Sequence, residues 1–383
     1  MSLGRRSFLL LCALGLPAGA LAAASIPADK IFSPPHGRFH QGLPGKPAVL
    51  LFHGTSAGME AWIAPAGTPR GLGEFYYDHT KAPPPYIDDN ARFPGLGVHA
   101  LGLSPRDKDA ANRRNWWDYL VAKGFTVATW SQTLPLFAEG YASAEVAYAE
   151  FLRRTGDLPV ALVGHSRGGL LARRLLIDHG ARGRVRWLIT LHAPHRGTRW
   201  GTAVHTVRGA LLKLLQKRSR FPYPKLWRDF DAAVRRALLK QLDAALMPAF
   251  AEQRPGSPLI RDLEARDRPI DGVQYFTYGG TSPRVLRFYA WVYAKGSATP
   301  HLNGRHIVYH RRADPKEIPL VSPMWDKLPN PERYDEIRPG KGDLLVSDAS
   351  ARLPWSVHKS FPISHGDVLL SERLQSEVSA LLQ

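Results

Sequence analysis

The run Val160-Ala161-Leu162-Val163-Gly164-His165-Ser166-Arg167-Gly168-Gly169 constrains the fold more than any other stretch of the chain. Its first residues are short and wholly apolar, as in a strand buried on both faces. Leu170, Leu171, Leu175 and Leu176 then recur at helical spacing. Strand and helix are therefore joined by Gly-x-Ser-x-Gly alone, a turn so tight that the residues two before and two after the serine have no room for a side chain. Such a turn pushes the Ser166 hydroxyl out at the top of a sheet. The helix that starts there aims its free N–H groups and its positive dipole end at any oxyanion that develops nearby.

The surrounding pattern predicts the sheet. Ala48 to Phe52 is a second buried strand, ending at His53-Gly54-Thr55. Trp116 to Lys123 reads as a helix stopped by Gly124, Phe125 to Trp130 as a strand, and Glu139 to Arg154 as a helix. The serine strand and its helix over 167–179 follow, then a strand from Val185 to Leu191. Strands and helices thus alternate from 47 to 191, which predicts an α/β fold with a mostly parallel sheet flanked by helices.

Three intervals break the rhythm. Residues 56–112 are rich in Gly and Pro, with little periodicity, and read as a long excursion near the mouth of a site. Residues 200–265 carry helical stretches near 204–217 and 228–247 with no prompt strand between them, and read as a helical cap. Residues 281–340 read as an irregular insertion. Val273 to Tyr278 resumes the sheet, Trp355 to Phe361 is its last strand, and Asp367 to Leu382 is a C-terminal helix.

The N-terminus reads as a targeting segment. Arg5-Arg6-Ser7-Phe8-Leu9 resembles a twin-arginine export signal, an apolar run continues to Leu16, and Ala20-Leu21-Ala22 suits signal cleavage. Residues 1–24 are thus expected to be removed, leaving 25–383 as one domain in the periplasm or outside the cell. Cys12, the only cysteine, lies in that segment, so the remainder has no disulfide. No other stretch is apolar for long enough to span a bilayer. The formal charge of +18 is spread along the chain without a nucleic-acid-binding motif. It suits contact with an anionic lipid surface rather than nucleic acid.

A serine is a weak nucleophile without a base in reach and a group to orient that base. Late in the chain, His365 sits after the last strand, and Asp343 opens Asp343-Leu344-Leu345-Val346-Ser347. With His53-Gly54-Thr55, Gly164 to Gly169 and Pro194-His195-Arg196-Gly197, these motifs make the chain resemble the bacterial lipases and esterases of the α/β-hydrolase superfamily. Asp343 and His365 lie 22 residues apart, an interval that also fits. The resemblance implies that Ser166 is the nucleophile, His365 the general base and Asp343 the acid that orients it. It also implies an oxyanion hole made by the backbone N–H groups of Thr55 and Arg167. The family usually has Gly where Leu344 stands, which leaves Asp348 as the second candidate acid.

Many relatives bind calcium through an acid two residues after the histidine. Asp367 occupies that position without a clear second ligand, so no cofactor and no metal is expected. His301, His306 and His310 lack acidic or cysteine neighbours and read as surface residues. His192 and His195, on a loop after a strand, are candidates to line the site, with His195 tying the loop down. Trp62, Phe75, Tyr76, Tyr77 and Phe93 are candidates either for an acyl pocket or for packing. The expected function is an exported serine hydrolase acting on carboxylic esters or lipids through an acyl-enzyme. Phospholipase, polyester hydrolase and acyltransferase are alternatives with the same triad. A non-catalytic binding protein on a hydrolase fold is the alternative of another class.

Overall fold

The computed structural model describes residues 26–55, 57–65, 113–132, 136–180, 184–203, 205–206, 248–283, 328 and 330–383, and the backbone alone of 96–97, 288–303 and 306–318. The strands are β1 (Gly37–His40), β2 (Ala48–Phe52), β3 (Leu96–Gly97), β4 (Thr126–Trp130), β5 (Val160–His165), β6 (Val185–Leu191), β7 (Gln274–Gly280), β8 (Phe288–Asn303), β9 (His306–Ile318) and β10 (Val357–Phe361). The helices are α1 (Glu60–Ile63), α2 (Trp116–Ala122), α3 (Phe137–Thr155), α4 (Arg167–His179), α5 (Pro248–Glu252), α6 (Pro258–Arg266), α7 (Asp348–Ala351) and α8 (Glu372–Leu381).

Seven strands form the central sheet in the order β1-β4-β2-β5-β6-β7-β10. Every pairing is parallel except β1 with β4, so the sheet is the mostly parallel one expected. Alternate residues of β2 and β5 serve opposite faces, as the pleat requires. Leu50, Phe52 and Leu162 pack with Phe151 of α3 and with Leu170, Leu171 and Leu175 of α4. Val49, Leu51, Ala161 and Val163 pack with Trp116 and Leu120 of α2 and with Leu374 and Val378 of α8. Both faces are therefore sealed from water, which is why these strands read as continuous apolar runs.

Local signals set the helix ends. Asn115 caps α2 by accepting the Asp118 N–H at 2.7 Å, and Ser257, followed by Pro258, caps α6 through the Ile260 N–H. A buried ion pair between Arg173 of α4 and Asp267, just past α6, ties the two helices together.

The structure differs from expectation in three places. β1 adds an antiparallel edge strand; its four residues are too few and too mixed to show alternation. The C-terminal helix is broken, with a 3-10 turn at Asp367–Leu370 before Ser371 caps α8. The interval 281–340 is not irregular throughout: β8 and β9 pair as a long antiparallel hairpin, joined at one edge by β3. The signal segment 1–24, most of 56–112 and the cap helices expected over 204–247 lie outside the described residues. At the far end of the cap interval, Ile260 and Leu263 of α6 are buried in the main core. Among the described residues, no helix is long and apolar enough to cross a membrane.

Candidate active site

Ser166 stands between β5 and α4 with φ 55° and ψ −128°, a backbone state that side chains strongly disfavour. Its N–H donates to Leu191 O at 2.9 Å, anchoring the turn to the end of β6. The flanking glycines are required by close approach. A Cβ on Gly164 would lie 2.5 Å from the Gly169 backbone, and one on Gly168 would strike the Phe52 carbonyl at the end of β2. Strand, helix and neighbouring strand meet too closely for any other residue.

Asp343 and His365, the candidate acid and base, lie in contact. His365 Nδ1–H donates to Asp343 Oδ2 at 2.8 Å, and the His365 backbone N–H donates to the Asp343 carbonyl at 3.1 Å. The other carboxylate oxygen, Oδ1, accepts the Leu345 and Val346 N–H groups at 2.9 and 2.7 Å. Asp343 is fully buried. Burial alone would raise its pKa. The His365 and His192 contacts overturn that effect and hold the carboxyl well below the usual range, so it is ionised. Leu344 has φ +93°, which explains why glycine suits that position. Asp348 does not reach His365; its Oδ1 lies 3.2 Å from His358 Nε2.

His165 links the serine turn to His365. Its Nε2–H donates to the His365 carbonyl at 3.0 Å, and the two rings lie 4.8 Å apart. Burial, with the His365 and His192 rings beside it, keeps its pKa well below the ordinary imidazole value. The ring is thus neutral, and it braces the His365 backbone besides filling space.

The two candidate oxyanion donors flank Ser166. Arg167 is the first residue of α4. Its guanidinium is buried, donates from Nη2 to Gln132 Oε1 at 3.1 Å, and has its pKa lowered to about 10 by burial. Thr55 follows Gly54, whose missing Cβ lets this loop lie against Ser166; a Cβ there would sit 2.9 Å from Ser166 Cβ. His53 sets the loop's orientation. Its Nε2 accepts the Gln132 N–H at 2.8 Å, so Nδ1 carries the proton and donates to Gly54 O at 2.9 Å. A planar trans peptide points its C=O and N–H in opposite directions, so the Thr55 N–H is turned away from His53. Gln253 Nε2 donates to Thr55 Oγ1 at 3.1 Å and holds the same residue from α5's end of the chain.

One group of three donors with metal-like spacing exists among the described residues: His192, Asp343 and His365, within 4.8 Å of one another. Asp343 Oδ2 lies 2.7 Å from His192 Nδ1 and 2.8 Å from His365 Nδ1, and the His365 contact is a hydrogen bond. Asp367, the candidate calcium acid, accepts the Ser364 hydroxyl at 2.8 Å through Oδ2.

Other expectations resolve variously. His195 is buried, bonded to Thr190 Oγ1 at 2.9 Å, and its carbonyl accepts from Arg173, so it ties down its loop. Trp62 is buried against Trp116, which makes it a packing residue. Phe75, Tyr76, Tyr77 and Phe93 lie outside the described residues, as do the side chains of His301, His306 and His310. The residue that sequence reasoning underrated is His192. It was a candidate to line the site, but it is sealed against Asp343 instead. The only signal was its place immediately after β6.

No protein-family model matches the sequence, and no curated protein matches it either. Solved structures are similar at a distance. The mature form of the Bacillus licheniformis lipase BlEst2 is 15% identical, with 89% of this chain and 94% of that one covered and a TM-score of 0.47. The Pyrococcus furiosus esterase PF2001 is 10% identical, with 88% and 82% covered and a TM-score of 0.41. AqDC, described as recognising the Pseudomonas quinolone signal and cleaving its ring, is 13% identical, with 90% and 95% covered and a TM-score of 0.39. The architecture itself decides the fold: a mostly parallel sheet covered on both faces, a strained serine turn after a central strand, and an Asp–His pair on loops beyond β7 and β10 at the same end of the sheet. The chain has the α/β-hydrolase fold.

Proposed function

We propose that the protein is an exported serine hydrolase that cleaves carboxylic esters. The observation that carries this reading is His365, bonded through Nδ1 to a sealed, ionised Asp343 and braced by the residue next to Ser166. In acylation, Ser166 Oγ attacks the ester carbonyl carbon and His365 Nε2 takes the hydroxyl proton. The backbone N–H groups of Thr55 and Arg167 receive the oxyanion. As the tetrahedral intermediate collapses, the C–O bond to the alcohol breaks and His365 returns its proton to the leaving alkoxide. Water, deprotonated by His365, then attacks the acyl-enzyme and releases the acid. Asp343 keeps the proton of His365 on Nδ1 and stabilises the imidazolium.

The twin-arginine-like residues 1–24 support export, and the basic composition supports work near an anionic lipid surface. The test is a hydrolysis panel from p-nitrophenyl acetate to long-chain glycerides, phospholipids and polyesters, with fluorophosphonate labelling. Ester turnover and labelling are expected in the native chain, and both vanish in Ser166→Ala, with a fall in kcat of about 10⁴-fold or more. Turnover in Ser166→Ala close to that of the native chain overturns the assignment.

A further inference from the structure

We infer that His192 is a positioning residue for the base: it shares Asp343 Oδ2 with His365 and so limits how much of the carboxylate's charge bears on the His365 ring. The inference rests on the roles proposed above for Ser166, His365 and Asp343.

His192 Nδ1 lies 2.7 Å from Asp343 Oδ2, with both side chains fully buried. A bare Nδ1 lone pair facing an ionised carboxylate oxygen at that distance would repel it, and the carboxylate has no proton to give. The proton is therefore on His192 Nδ1. The approach is bent too far for a well-formed hydrogen bond: neither Nδ1 nor Nε2 of this sealed ring has an aligned partner among the described residues. His192 thus acts on the site through one atom only. Oδ1 already holds the Leu345 and Val346 N–H groups, and His365 holds Oδ2. The carboxylate thus accepts three aligned N–H groups, and His192 Nδ1 crowds Oδ2 from the side at 2.7 Å.

The backbone is bent to deliver this ring. His192 has φ +53°, in the left-handed region that favours glycine. Gly280 at the end of β7 leaves the space the imidazole fills; a Cβ there would lie 2.5 Å from His192 Cε1 and 2.6 Å from Asp343 Cβ. A strained position retains a large polar ring, and a neighbouring strand gives up a side chain to admit it.

The groups facing His365 are Asp343 from its loop, His192 from the end of β6 and His165 from the serine turn, with Asp367 engaged by Ser364 on its own segment. Of the two acids in this group, Asp343 alone bonds the His365 ring. Withdrawing the His192 N–H leaves Oδ2 to His365 alone, which favours the protonated base and moves its titration to higher pH. Because the reaction needs neutral His365, the acid limb of kcat/KM must move the same way.

The test compares the native chain with His192→Gly, which relieves the backbone, and His192→Asn. Asn tolerates the left-handed region and offers an amide donor. Nitrogen-15 NMR of labelled histidines follows the His365 titration directly, and kcat/KM for p-nitrophenyl acetate is measured against pH. In His192→Gly both the titration and the acid limb are expected to rise by roughly half a unit to one unit. His192→Asn returns both toward the native values. An unshifted His365 in folded His192→Gly, or a shift in His192→Asn as large as in His192→Gly, overturns the inference. If the glycine variant does not fold, the native chain decides: a His192 Nδ1 that resonates as a protonated, pyrrole-type nitrogen supports the inference, and a bare one overturns it. Absence of ester turnover alongside a shifted His365 would overturn the proposed function and leave the role of His192 intact.

Discussion

Gly279 and Gly280 close β7 side by side, and each accepts an Asp–His pair onto its bare face. Consecutive strand residues face opposite sides of a sheet, so the two pairs are separated by the sheet itself. Asp348 packs on Gly279, with its Oδ1 3.2 Å from His358 Nε2. Asp343 packs on Gly280 with His192 and binds His365. The chemistry is the same and the consequence differs. Both nitrogens of His358 are taken by protein groups, Nδ1 by Thr277 Oγ1 at 2.8 Å and Nε2 by Asp348. Among the described residues, His365 Nε2 takes no hydrogen bond, so that nitrogen is left to accept a proton from elsewhere. The Asp348 side chain is 24% exposed, whereas Asp343 is fully sealed. The pair at Gly280 thus has the two features that the base role proposed for His365 requires, an unengaged ring nitrogen among the described residues and a dry acid.

Substituting the two acids tests that difference most severely. Asp343→Asn should lower kcat by about 10⁴-fold, because the amide no longer holds the correct imidazole tautomer. Asp348→Asn should change it by less than about threefold. Equal losses would erase the distinction.

Stability against pH probes the same pairs with a smaller effect. Both carboxyls titrate below their ordinary values in the folded protein: burial opposes this in each, and the His365 and His192 contacts for Asp343 and the His358 contact for Asp348 outweigh it. A depressed folded pKa adds stability that is complete above the unfolded value of about 3.9 and is lost as pH falls toward the folded one. The urea midpoint of Asp343→Asn should therefore fall less between pH 5 and pH 3 than that of the native chain. Asp348→Asn should keep most of the native slope. A native-like slope in Asp343→Asn would mean that the buried carboxylate is not ionised.

The smallest effect is expected at Leu344. Leu344→Gly removes the cost of φ +93° but loses side-chain contact and adds chain entropy, so stability should stay within about 1 kcal/mol of the native value. A loss above about 2 kcal/mol in thermal unfolding would mean that the leucine side chain, rather than the loop backbone, holds Asp343 in place.

The sheet core was legible because both of its faces are buried, which prints β2, β5 and β6 as unbroken apolar runs with clean ends. The boundaries of α4 and β6 agree with the residues expected, since Gly164, Gly168 and Gly180 punctuate them. The contact between Asp343 and His365 was legible from order and spacing. His192 was not, because its role depends on a contact between distant parts of the chain, and a left-handed histidine leaves no mark in sequence. The Gly279–Gly280 pair looked like an ordinary strand end, as nothing local says which side chains will fill its missing Cβ positions. The β8–β9 hairpin was hidden for a different reason: Gly296, Pro300 and Pro315 break its pattern into pieces that read as turns.

Gln253 does more than steady Thr55. Its backbone carbonyl accepts the Thr198 N–H at 2.7 Å, so the chain leaves the hydrolase body after Thr198 and returns to it at the same spot. The residues in between form a closed detour whose two ends are already stitched together. Closing a loop costs free energy that grows only slowly with its length, so the body tolerates detours of very different sizes at this door. The two flanks of this interval are thus fixed to each other by the described residues themselves, whatever length of chain joins them.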